Sequence, residues 1–177
     1  MKWLPLRLLG AGSIIASITF AALAGADSFA YSFNAKGNIE AGQVVALTKG
    51  DKNTVEPAPA SDPSRMYGVA VNLADAPIAV QNASQNVVVA TSGRYQVLTS
   101  IENGPIVAGD YLSMSSQDGI AAKVKGRQAY IIGRATESFN GSSSGEVTGK
   151  VSTSLMPGKN PNLLQDAGVP APLRRLG

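Results

Sequence analysis

The 177-residue chain contains no cysteine and no histidine. The first absence excludes a disulfide framework, thiolate zinc sites, cysteine nucleophiles and a lipid-modified N-terminal cysteine. The second removes the commonest general base and the commonest transition-metal ligand. Charged residues make up only 15% of the chain and aromatics 6%, and the net charge is +3. The Lys and Arg residues are scattered rather than gathered, so the electrostatic footprint of a nucleic-acid binder is missing. There is no P-loop, no G-x-G-x-x-G, no EF-hand loop and no cluster with metal-ligand spacing. The sequence therefore predicts a protein that is not an enzyme, with no cofactor, no metal site and no nucleic-acid partner.

What the chain has in abundance is glycine, 19 residues of it, with 10 prolines and many Val, Ile, Ala, Thr and Ser. That mixture suits short strands joined by frequent turns. Its beginning differs. Lys2 and Arg7 precede an uncharged, mostly apolar run from Leu8 to Gly25, and small residues follow. A basic start, an apolar middle and small-x-small exits form a secretory signature, with cleavage predicted after Ala24 or after Ala30. Residues 1–30 are read as a signal peptide or membrane anchor. If uncleaved, residues 8–25 form a hydrophobic helix holding the chain in a membrane with the body outside. Residues 31–156 are read as one β-domain. Residues 157–177, with Pro157, Pro161, Pro170 and Pro172, are read as an extended tail.

The body resembles itself. Gly37-Asn38-Ile39-Glu40-Ala41-Gly42-Gln43-Val44 aligns with Gly104-Pro105-Ile106-Val107-Ala108-Gly109-Asp110-Tyr111, and Met66-Tyr67-Gly68-Val69-Ala70 aligns with Ile131-Ile132-Gly133-Arg134-Ala135. The two offsets are 67 and 65 residues, so spacing within the copies (37–70 and 104–135) is nearly kept. Gly42 and Gly109 are expected at tight turns that require positive φ. Gly68 and Gly133, inside strands, are expected at bulges or close backbone approaches. Gly93 is expected in the turn of a hairpin between strands near Gln85–Ala90 and Arg94–Leu98. The fold class predicted is all-β: a small barrel or sandwich of eight to ten short strands, built from two copies of a strand-turn-strand motif.

Asp110 is the most tempting polar residue, as a ligand for a cation or a sugar hydroxyl, but Asp in this position ordinarily caps backbone N–H groups of its own turn. Gln43 stands at the matching place in the first copy and weakens the case for a shared polar role. Ser115 or Ser116 with Lys123 or Lys125 lacks the spacing of a Ser-Lys dyad. Asn82-Ala83-Ser84 and Asn140-Gly141-Ser142 fit a glycosylation pattern that matters only in a eukaryotic secretory path. Trp3, Tyr67, Tyr95, Tyr111 and Tyr130 are read as packing residues before a binding face.

The string Glu102-Asn103-Gly104-Pro105-Ile106-Val107-Ala108-Gly109-Asp110-Tyr111-Leu112, then Asp118-Gly119 and Ile132-Gly133-Arg134-Ala135, with Ser92-Gly93-Arg94 as its opening, resembles a β-domain of phage tail-fibre and bacterial surface proteins. The first copy is similar to the turn pattern of phage capsid-decoration domains. The resemblance covers roughly residues 37–138 and implies a structural or adhesive module, often trimeric. The function expected is an exported, non-catalytic cell-surface structural or adhesion module, membrane-anchored or extracellular, with no surface ligand identified. The alternative is a subunit of a phage-like fibre assembly, a homo-oligomer. A third reading is a cell-wall carbohydrate or peptidoglycan hydrolase using Glu102, Asp110 or Glu137.

Overall fold

The structure, a computed structural model, describes residues 29–76, 79–80, 86–141, 145 and 147–163. The expected helix over residues 8–25, Trp3, the Asn82-Ala83-Ser84 pattern and the tail past Leu163 lie outside the described residues.

Eleven strands are present among them: β1 (Ala30–Ala35), β2 (Val44–Leu47), β3 (Thr54–Pro57), β4 (Met66–Val71), β5 (Ala79–Val80), β6 (Val87–Ala90), β7 (Gly93–Ser100), β8 (Tyr111–Met114), β9 (Ala121–Lys123), β10 (Tyr130–Ala135) and β11 (Thr148–Lys159). The chain is all-β, and it forms two closed five-stranded barrels where the sequence suggested one small barrel or sandwich. In the first the ring runs β3-β2-β4-β6-β1 and closes through a β1–β3 pairing, with β5 added alongside β1. In the second it runs β9-β8-β10-β11-β7 and closes through β7–β9. Position for position the two rings have the same order. Each contains one parallel pair closing the ring, β1–β3 or β7–β9, while the other ring pairings are antiparallel. Closure leaves these ten strands no open edge, which suits short strands that are unstable alone.

The expected hairpin around Gly93 does not form. β6 already pairs with β1 on one side and β4 on the other, and β7 pairs with β11 and β9. With both edges of each strand taken, Thr91 and Ser92 are instead the short crossing from one barrel to the next. Two boundaries also move. Ala30, read as the last targeting residue, is the first of β1 and is buried. β11 continues through Pro157 to Lys159, into the stretch read as tail.

Alternation explains the core. Val45, Val55, Ala70, Val89 and Phe33 fill the first barrel. Their sequence neighbours Val44, Ala46, Val69 and Ala90 point the other way, yet are also buried, in a second cluster with Val97, Ile106, Leu112, Met114, Ile132 and Val151 of the second barrel. Both faces of β2 and β4 are therefore covered. That accounts for the unbroken apolar runs Val44-Val45-Ala46 and Val69-Ala70, which in a one-sided sheet would alternate with polar residues. The barrels share a core and form one body.

Candidate functional site

The two glycine corners are built alike. Gly42 has φ +103° and Gly109 φ +101°. Gly42 N–H donates to Ala70 O at 2.7 Å, and Gly109 N–H to Ala135 O at 2.8 Å. Gln43 N–H donates to Glu40 O at 3.1 Å and Asp110 N–H to Val107 O at 2.9 Å, closing the turns. The return bonds match too: Ala70 N–H to Gln43 O at 2.9 Å, Ala135 N–H to Asp110 O at 2.8 Å. Even the side chains agree. Asp110 Oδ2 accepts from Val107 N–H at 2.8 Å, and Gln43 Oε1 accepts from Glu40 N–H at 3.0 Å. The amide of Gln43 thus performs the same turn-capping as the carboxylate of Asp110, so the departure in sequence is not a departure in role.

Gly68 and Gly133 sit at close backbone approaches beside register shifts in β4 and β10. A Cβ at Gly68 would stand 2.5 Å from Ala90 O, and one at Gly133 would collide with Ser154 O. Gly93, with φ +102°, opens β7 opposite Leu155.

The carboxylates considered for hydrolysis are each held by a turn or a neighbouring strand. Glu102 accepts from Ser116 N–H at 2.7 Å and Ser116 Oγ at 2.6 Å. Glu137 Oε1 accepts from Ser152 N–H at 2.5 Å. Asp110 also meets Lys123 Nζ at 2.9 Å. Burial pushes the Asp110 carboxyl up, but the Val107 N–H and Lys123 outweigh it and hold the group below its ordinary value. The serines and lysine of the dyad reading go separate ways: Ser115 Oγ bonds Gln117 N–H and O, Ser116 Oγ bonds Glu102, and Lys123 bonds Asp110. Tyr67 packs edge-on against Phe33 and Tyr95 is buried. Tyr111 lies beneath the Arg134 guanidinium, 5.6 Å from the ring centre.

The first corner is not exposed: the second barrel docks on it. Val44 N–H donates to Gly119 O at 2.9 Å, Gly119 N–H donates to Ala58 O at 2.9 Å, and Leu98 N–H donates to Gly42 O at 2.7 Å. Asp118 Oδ1 accepts from Ala60 N–H at 2.7 Å. The Asp118-Gly119 tip of one barrel is thus wedged into the corner of the other. Gly119 has φ +74°, and a Cβ there would lie 3.3 Å from Pro57 Cβ. The sequence shows Asp118-Gly119 as a turn; that it is also an inter-barrel plug depends on contacts sixty residues away in sequence. Among the described residues the matching corner of the second barrel carries no such plug. Gly109 O accepts instead from Arg134 Nε at 2.6 Å. A cavity of about 470 Å³ opens beside it, lined by Asp110, Tyr111, Lys123, Val124, Gly126 and Arg134 among others.

Sequence reasoning also missed a half-buried network in the first barrel. Arg65 Nη2 donates to Leu47 O at 2.7 Å and to Glu56 Oε1 at 2.7 Å, while Lys36 reaches Glu56 Oε2 at 2.9 Å from a more exposed position. Arg65 first and Lys36 second hold the Glu56 carboxyl below its ordinary value. Nothing in the spacing of Lys36, Glu56 and Arg65 announces it, because the three lie on separate elements.

Among the described residues no helix is long and apolar enough to cross a membrane, and no group of three or more Asp or Glu stands close enough to hold a metal ion. No protein-family model matches the sequence, and no curated protein does. Among solved structures, the chain is similar to the head fibre gp8.5 N base of bacteriophage phi29, at 18% identity and a TM-score of 0.40 over 75% of this chain and 98% of that one.

Proposed function

We propose that this chain is a non-catalytic structural module, displayed outside the cytoplasm, whose two barrels act as one rigid spacer. The observation that carries the reading is where its polar groups go. Glu102, Asp110 and Glu137 all bind backbone N–H groups that hold loops and strands in place. A carboxylate held in this way is an acceptor with a structural task, whereas a hydrolase needs its pair free to face a substrate bond. The shared core and the crossing of only Thr91 and Ser92 support rigidity, since barrels packed in this way cannot swing independently. Export rests on the basic, apolar, small-residue order of residues 1–30. Fractionation of the native host with protease shaving of intact cells tests the display. Recovery of the protein only from cytosol overturns it.

A second reading, a subunit of a phage-like fibre, is favoured by the corner motif from Gly104 to Leu112, which resembles β-domains of tail fibres. It predicts a homo-oligomer, a trimer by that resemblance. Sedimentation equilibrium on the mature chain decides: a concentration-dependent trimer supports it, and a monomer throughout counts against it.

A further inference from the structure

The inference rests on the structural-module reading and gives that module a partner surface. In the first barrel three backbone groups receive the Asp118-Gly119 tip: Val44 N–H, Ala58 C=O and Ala60 N–H. Their counterparts in the second barrel are Tyr111, Val124 and Gly126. The correspondence is fixed by a shared bond, Ala58 N–H to Val44 O at 2.9 Å in one barrel and Val124 N–H to Tyr111 O at 2.9 Å in the other. Tyr111 N–H, Val124 C=O and Gly126 N–H have no hydrogen-bond partner among the described residues. All three residues line the 470 Å³ cavity beside the Gly109 corner.

We propose that this slot is a docking site for a hairpin tip of Asp-Gly type presented by a partner β-module. Three features argue for that occupant. The slot offers two N–H donors and one C=O acceptor in the arrangement that Gly119 and the Asp118 carboxylate already satisfy in the first barrel, so main-chain bonds supply the affinity. Lys123 and Arg134 line it, which favours an anionic residue before the glycine; Asp110 is already paired with Lys123. The tip must carry glycine at its second position, because the docked conformation has φ +74° and leaves a Cβ only 3.3 Å from Pro57 Cβ in the occupied slot. The chain's own Asp118-Gly119 is not available for this, since it fills the first barrel. Its first-barrel counterpart, the loop Lys49-Gly50-Asp51-Lys52-Asn53, lacks an Asp-Gly or Asn-Gly pair. The chain's other such pairs, Asn103-Gly104 and Asn140-Gly141, lack the carboxylate that Lys123 and Arg134 favour, so the occupant is an Asp-Gly tip on a different β-module.

The experiment uses the full chain, isotopically labelled, and a cyclised hairpin peptide with the sequence of Met114–Ala121. Saturable shifts of the Tyr111 and Gly126 amide signals are expected. The same peptide with alanine in place of its glycine is expected to bind roughly tenfold or more weakly, because the strain of positive φ falls on the bound form. Absence of shifts at those amides at millimolar peptide, shifts confined to the Val44 region, or equal binding of both peptides overturns the proposal. Fractionation and sedimentation probe the structural-module reading by other observables, so a silent titration leaves that reading intact.

Discussion

Gln43 and Asp110 stand in the same place in two glycine corners and accept the same backbone hydrogen bond, at 3.0 and 2.8 Å, one with an amide and the other with a carboxylate. Only the second can titrate. Asp110 is held below its ordinary 3.8 in the folded chain despite burial, which opposes this, because the Val107 N–H and Lys123 favour the charged form. A depressed folded-state pKa contributes stability that is present above the unfolded value and lost as pH falls through the folded one. Asp110→Asn, which keeps an acceptor but removes the charge, is expected to lose roughly 1 kcal/mol at neutral pH, allowing for partial exposure. The gap to the parent should shrink as pH drops below about 3.8. Denaturant titrations at pH 7, 4 and 2 measure it, and a gap independent of pH would remove the electrostatic account.

The glycines separate into those short of space and those needing only φ. Gly68→Ala and Gly133→Ala each drive a Cβ into a backbone oxygen of the adjacent strand, which cannot rotate away. Overpacking of this kind costs about 1–3 kcal/mol or more. Gly50 and Gly104 have φ +84° and +98° but nothing within 4 Å of a Cβ, so alanine there should cost about 1 kcal/mol from conformation alone. Thermal unfolding of the four variants should rank the strand pair well below the loop pair. Indistinguishable melting temperatures would mean the barrel relaxes around the added methyl.

Much of this was legible in the chain because corners are local. Gly42 and Gly109 sit in turns closed three residues apart, Glu40 to Gln43 and Val107 to Asp110, while Gly68 and Gly133 showed only as glycines interrupting strand runs, the backbone they abut at Ala90 and Ser154 being distant in sequence. The all-β class follows from the same turns. The second barrel was not legible, because strand closure pairs β1 with β3 and β7 with β9 across intervening segments, and sequence spacing does not show which edges are already occupied. The misplaced hairpin at Gly93 has the same origin. Gly149, which gives way to the Phe139 ring, is a third case: a Cβ there would stand 2.5 Å from Phe139 Cζ, a contact set by folding rather than by neighbours in the chain.

Arg65 and Lys36 both bind Glu56, and burial decides which matters. Arg65 is 19% exposed and also bonds Leu47 O, so its loss removes the donor to Leu47 O and to Glu56 Oε1 and leaves the carboxylate only the exposed Lys36 at Oε2. Lys36 is 64% exposed, where an ion pair contributes little. Arg65→Met is expected to cost about 1–3 kcal/mol, and Lys36→Met less than about 0.5 kcal/mol. Equal losses in urea unfolding would show that the network acts through charge rather than through its hydrogen bonds.

Gly119 joins the barrels rather than building either one, so its replacement should act on the junction. Alanine at φ +74° is strained, and its Cβ presses on Pro57 Cβ at 3.3 Å. The tip is then expected to withdraw, freeing Val44 N–H, whose acceptor is Gly119 O, and Ala60 N–H, whose acceptor is Asp118. Leu98 N–H, bound to Gly42 O in the same junction, should be weakened with them. Val89 and Val97, in the ladders of β6 and β7, have partners within their own barrels and should stay protected. Native-state hydrogen exchange on Gly119→Ala thus predicts faster exchange at Val44, Ala60 and Leu98 against an unchanged background in the barrel ladders. Uniform loss across both barrels would instead mean that they unfold as a single cooperative unit, with the plug no weaker than the strands it connects.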